Sequence, residues 1–146
     1  MTRSGRLSTR LEAIVDALPL LPDSRVLEIG CGPGAAARAV SARLETGRVL
    51  AIDRSAAAIA QARAAGADEI AAGRLELRQV AAEDFVLEAG EDPYDIVFAV
   101  RVGAIDGRHP RAGERVLERI AQATTPGARL FIDGGKPLRE LPIPTP

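Results

Sequence analysis

The chain has 146 residues, 47% of them apolar, a formal net charge of −1 and one cysteine. That length suits one domain with its own core, expected over residues 1–146 with a helix in 1–20 and a proline-rich tail at 134–146. The charge offers no electrostatic footprint for nucleic acid, no apolar run approaches the roughly 20 residues that cross a bilayer, and Cys31 alone forms no internal disulfide. The first twenty residues carry three arginines and no continuous apolar segment of a secretion signal, so a cytoplasmic protein is expected.

Leu7, Leu11, Ile14, Val15 and Leu18 keep a helical period, stopped by Pro19 and Pro22. Arg25 to Ile29 reads as a buried strand. Residues 33–45 are alanine-rich and helical, with Pro33 at the favoured first position. A second strand, 48–53, follows the turn at Gly47. Ser55 is the expected N-cap of a helix reaching about Ala65, with Gly66 its weak point. Residues 75–80 alternate as a third strand, and 94–100 are apolar enough for a central fourth. Val116, Leu117, Ile120 and Ala121 mark a helix begun near Pro110, and Pro126-Gly127 turns into a fifth strand, 128–133. Strands alternating with helices predict an α/β fold: a doubly wound parallel sheet of order 3-2-1-4-5 with helices on both faces. In such sheets ligands lie beyond the carboxyl ends of the strands.

The stretch VLEIGCGPG, residues 26–34, falls at that edge. A bare turn needs one glycine. Three, at Gly30, Gly32 and Gly34, let a ligand lie against the main chain, and the unpaired amides opening the next helix can bind its acceptor atoms. Asp53 ends the second strand 21 residues after Gly32, where a carboxylate can accept both hydroxyls of a ribose. Together they indicate an adenosine-containing ligand. The glycines also satisfy a dinucleotide pattern, but Glu28 beside them would repel a pyrophosphate and suit an ammonium.

These segments resemble class I S-adenosylmethionine-dependent methyltransferases. VLEIGCGPG is similar to their first motif, AIDRS (51–55) to the second, AAEDF (81–85) to the third and YDIVFAV (94–100) to the fourth. LERIAQATTPGARLFI (117–132) resembles the helix, turn and strand that follow. The resemblance implies S-adenosylmethionine as cofactor, resting on Gly30, Cys31, Gly32 and Gly34 with Glu28 toward its amino group. It implies ribose at Asp53 and Arg54, adenine at Ala82 and Glu83, and the methionine moiety beside Val100 and Arg101. Ala81 stands where the family often has Asp. The family also continues past strand five with a helix and an antiparallel strand pair, where this chain has GGKPLRELPIPTP.

The implied activity is methyl transfer to an oxygen or nitrogen of a small molecule. Alternatives are a non-catalytic S-adenosylmethionine-binding subunit or sensor, and a nucleotide-binding module. His109, the only histidine, is either a general base or, in its commoner use, the cap of the helix at Pro110. Asp106 and Asp133 are lesser acceptor-side carboxylates, and no cluster has metal-ligand spacing. Leu130, Phe131 and Ile132 would lie on a bare sheet edge. The prolines of the tail make a poor strand partner, so a homodimer through strand five is expected.

Overall fold

The strands are short apolar runs that pair in parallel because a helix or long loop returns the chain between them. The computed structural model describes residues 7–105 and 107–145. Its sheet contains β1 (Arg25–Ile29), β2 (Arg48–Asp53), β3 (Leu75–Gln79), β4 (Tyr94–Ala99), β5 (Thr124–Asp133) and β6 (Leu138–Leu141). The order is β3-β2-β1-β4-β5-β6. The first five are parallel, as expected, and β6 is antiparallel to β5.

Helices α1 (Thr9–Ala17), α2 (Ala35–Ser41) and α3 (Ala56–Ala65) cover one face, where Val15, Val40 and Ile59 pack on Val26, Val49, Ala51 and Phe98. A further short helix, α4 (Ala67–Ala71), follows α3. On the other face α5 (Pro110–Gln122) sets Val116 and Ile120 against Leu27, Ile29, Val97 and Leu130. Each fully buried Leu or Ile contributes about 1.5–3 kcal/mol relative to exposure. Because both faces are covered, the central strands β1, β2 and β4 are buried along most of their length and lack a polar side. Glu28, 3% exposed in the middle strand, is the conspicuous exception.

Local chemistry sets the helix starts. Ser8 and Ser55 cap α1 and α3 through their hydroxyls, which accept from the Leu11 and Ala58 amides. Pro110 opens α5. Pro33 does not open α2: it belongs to the preceding turn, and Gly34 is the N-cap. The Pro126-Gly127 turn sits inside β5 as a bulge, since Tyr94 pairs with Thr124 but Ile96 with Arg129.

The tail departs most from expectation. Between Pro137 and Pro142 lies a proline-free window, and there Leu138, Arg139, Glu140 and Leu141 pair with Asp133, Ile132, Phe131 and Leu130. The β5 edge is therefore covered by the chain itself, and the ground for a homodimer through strand five falls away. Truncation after Gly135 should uncover that edge and cause association at micromolar concentration. A truncated chain that light scattering found monomeric would contradict this role for β6. No helix among the described residues is long and apolar enough to cross a membrane.

Candidate functional site

After β1 the chain turns sharply into α2. The Cys31 amide donates to the Ile52 carbonyl (3.0 Å), and the Gly34 amide closes the turn on the Cys31 carbonyl (3.0 Å). Gly32 has φ +54°, and a Cβ there would meet nothing within 4 Å. Glycine is thus required by the left-handed backbone, and open space is left in front of it. At Gly30 a Cβ would strike Val102 Cγ2 at 2.7 Å, so the loops after β1 and β4 touch at this point.

Two cavities meet there. One, of about 500 Å³, lies between the start of α1 (Ser8, Arg10, Leu11), Glu28, the glycine loop, Val100 and Arg101. The other, of about 570 Å³, lies between Asp53, Arg54, Ala82, Glu83 and the loop from Arg101 to His109. They share Gly30 and Arg101, and so form two arms of one cleft at the carboxyl ends of β1, β2 and β4.

Each arm holds a carboxylate in a different state. Glu28 Oε1 is buried in the first arm without a hydrogen-bond partner. Burial, then the nearby Asp53 charge, push its pKa up to about 8, against which the Ala37 amide offers partial relief. Asp53 is half-buried in the second arm and held at both oxygens: Oδ2 accepts from the Gly32 amide and Oδ1 from the Ser55 amide, each at 2.9 Å. Asp53 therefore shapes the glycine loop. Ser55, not Asp53, caps α3 with its side chain.

At the junction, Arg101 has φ +60°, unusual for a residue with a side chain. Its amide donates to Asp133 Oδ1 at 2.9 Å, while Arg10 donates to Oδ2 at 2.6 Å. Burial would raise the Asp133 pKa, but the Arg101 amide and the Arg10 guanidinium outweigh it and hold it below the usual range. Asp133 is thus a joint between α1, β5 and the junction. Burial, then the charges of Glu28 and Asp53, push the Cys31 thiol up to about 12, which disfavours the thiolate.

The structure brings Glu28, Gly30, Cys31, Gly32, Val100 and Arg101 to the first arm, and Asp53, Arg54, Ala82, Glu83 and His109 to the second. Gly34 lines neither; it is buried against Ala62, whose Cβ would lie 3.1 Å from one added there. His109 is exposed at the N-cap of α5, without a side-chain capping bond. Asp106 lies outside the described residues. Arg10 and Arg108 were not foreseen: helical periodicity marks only the apolar face of α1, and Arg108 sits in an irregular loop. No group of three or more metal-ligating side chains is assembled among the described residues.

A family model described as a methyltransferase domain matches residues 26–127, more than half of the chain. The chain belongs to this methyltransferase-domain family. Trans-aconitate 2-methyltransferase of Streptomyces avermitilis is 34% identical over 87 residues, 60% of this chain and 31% of that protein. A solved S-adenosylmethionine-dependent methyltransferase from Geobacter sulfurreducens, in complex with S-adenosylhomocysteine, has TM-score 0.67 at 23% identity, over 90% of this chain and 49% of that one. The [4+2]-cyclase SpnF has TM-score 0.70 at 19% identity, over 88% and 47%. This methyltransferase domain thus spans about a third of the curated relative and about half of the two solved chains. The cyclase illustrates why shared fold alone does not set chemistry. In the domain, the matched segment includes Glu28, the glycine loop and Asp53, while Arg10 and β6 lie outside it.

Proposed function

We propose that the chain binds S-adenosylmethionine along both arms and transfers its methyl group to an oxygen or nitrogen of a small molecule. One observation carries this: the cleft has an unpaired buried carboxylate oxygen at Glu28 in one arm and Asp53 in the other, with a bare glycine loop between. A ligand with an ammonium at one end and a vicinal diol near the other satisfies both. A pyrophosphate ligand offers no positive group to the buried Glu28 oxygen.

The cofactor supplies an activated sulfonium methyl; the protein positions and excludes water. Glu28 holds the ammonium of the methionine moiety, beside Val100 and the Arg101 backbone. Gly32 allows close approach of the ligand, and Gly30 that of the loop after β4. Each oxygen of Asp53 has accepted one amide and retains a lone pair for a ribose hydroxyl. Ala82 and Glu83 border the space for adenine. Holding an acceptor atom about 3 Å from the methyl, in line with the bond that breaks, supplies most of the remaining rate.

Titration with S-adenosylmethionine, NAD and ATP tests the reading, and binding of only the first is expected. Asp53→Ala should weaken that binding by about 1–3 kcal/mol, because a ribose acceptor and the Gly32 tether are lost together. Unchanged affinity would remove Asp53 from the site. Formation of S-adenosylhomocysteine over a panel of small phenols, amines and acids then tests transfer.

A further inference from the structure

Asp133 lines neither arm of the cleft, yet each of its oxygens holds a residue that does. Oδ1 accepts the Arg101 amide at 2.9 Å, and Oδ2 accepts from the Arg10 guanidinium at 2.6 Å. Arg101 lines both arms, and at φ +60° it is the one residue other than glycine with a positive φ among the described residues. For a residue with a side chain that conformation is disfavoured about 5- to 30-fold in population, so it persists where a fixed partner holds it. Asp133 is such a partner. It ends β5, its backbone is paired with Leu138 of β6, and its side chain is 14% exposed. The residue after Arg101, Val102, packs against Gly30 on the opposite wall. The two oxygens differ in weight. Arg10 is 47% exposed, and an ion pair of that kind contributes a factor of about five at most. An amide donating to a sheltered carboxylate contributes about 10- to 100-fold.

We infer that Asp133 is a positioning residue of the cleft: by accepting the Arg101 amide it locks the left-handed peptide at the junction of the two arms. This inference rests on the proposed cofactor reading, which puts the sulfonium at that junction, between an ammonium at Glu28 and a diol at Asp53. Without the lock the Arg101 peptide relaxes toward the right-handed region, Val102 leaves Gly30, and both arms change shape together. The Arg10 bond is the lesser part and steadies the first turn of α1 beside the first arm. Asp133 acts through Arg101 from outside the cleft, so it is not a catalytic residue. With each oxygen engaged, it does not serve as the acceptor-side carboxylate that its place after β5 suggested.

Calorimetric titration with S-adenosylmethionine is applied to the full chain, to Asp133→Asn, Asp133→Ala and Arg101→Gly, and to the last two combined, with circular dichroism as the check on folding. Asparagine keeps an acceptor for the Arg101 amide and loses only the ion pair, so its affinity should stay within about fivefold of the parent. Asp133→Ala should bind about 10- to 100-fold more weakly. Glycine adopts the left-handed conformation without a lock, so in the presence of Arg101→Gly the cost of Asp133→Ala should shrink by at least about fivefold. A role in stability alone would cost the same with and without Arg101→Gly. Before any titrant is added, hydrogen exchange at the Arg101 amide should be at least about tenfold slower in the parent than in Asp133→Ala. Absence of S-adenosylmethionine binding by the parent would sink the cofactor reading and this inference together. Binding by the parent with an equal cost of Asp133→Ala in both backgrounds would overturn the inference alone, as would a loss beyond tenfold in Asp133→Asn. Should Asp133→Ala not fold, the asparagine variant decides: retained affinity with a protected Arg101 amide supports the lock, and loss of either overturns it.

Discussion

Gly32→Val should abolish S-adenosylmethionine binding, by at least about three orders of magnitude or 4 kcal/mol, in a chain that still folds. Folding survives because no protein atom lies within 4 Å of the added Cβ. The left-handed conformation, φ +54°, costs a non-glycine residue about 1–2 kcal/mol and a β-branched one more. The valine side chain would occupy the open space in front of the loop, where the proposed reading puts the cofactor. Circular dichroism checks the fold and calorimetric titration the affinity. Binding within tenfold of the parent would reduce the glycine loop to a turn.

Glu28→Gln should act in opposite directions on stability and on binding. The folded-state pKa of about 8 exceeds the ordinary 4.5 because burial, then Asp53, disfavour the charge. Glu28 in the ligand-free protein therefore contributes most to stability below about pH 4.5. That contribution is lost as pH rises through 8, because the unfolded chain ionises first. Glutamine has no such titration. The stability of the variant relative to the parent should therefore grow between pH 5 and pH 8.5 by a few kcal/mol, read from denaturant midpoints. Binding reverses the sign. An ammonium beside Glu28 requires the carboxylate, so uptake of S-adenosylmethionine at pH 7 should release a proton from this group and should tighten as pH approaches 8. The glutamine variant should bind about 10- to 100-fold more weakly and lack that proton release, which calorimetry in buffers of different ionisation enthalpy measures. Equal proton release by parent and variant would take Glu28 out of the ammonium site.

The parts of the fold readable from the sequence were those written in contiguous residues. RVLEI and RVLAID became strands at the expected bounds, because short apolar runs between turn residues have few other uses. The glycine loop and Asp53 were recognisable from spacing alone. Asp53's bond to the Gly32 amide was not, since it depends on β1 and β2 pairing in register, with Ile29 beside Ile52. The Arg10–Asp133 contact joins residues 123 apart and leaves no local trace. Glu28 was placed beside the loop correctly, but its missing partner is a property of the packed interior. In the tail, proline density masked a strand of four residues, Leu138–Leu141, that avoids every proline. There the hydrogen-bonding demand of the β5 edge overrode composition.

The Gly32–Asp53 bond ties the glycine loop to the end of β2 through the protein's own atoms. Folding that forms this bond takes up conformational entropy of the glycine loop, the most mobile kind of backbone, so that less remains to be lost on binding of the proposed cofactor. Association then needs little rearrangement of that segment, and more of the contact energy remains as affinity. The folding equilibrium carries the corresponding cost: a chain relieved of Asp53 would gain freedom in the loop while losing the shape that freedom destroys.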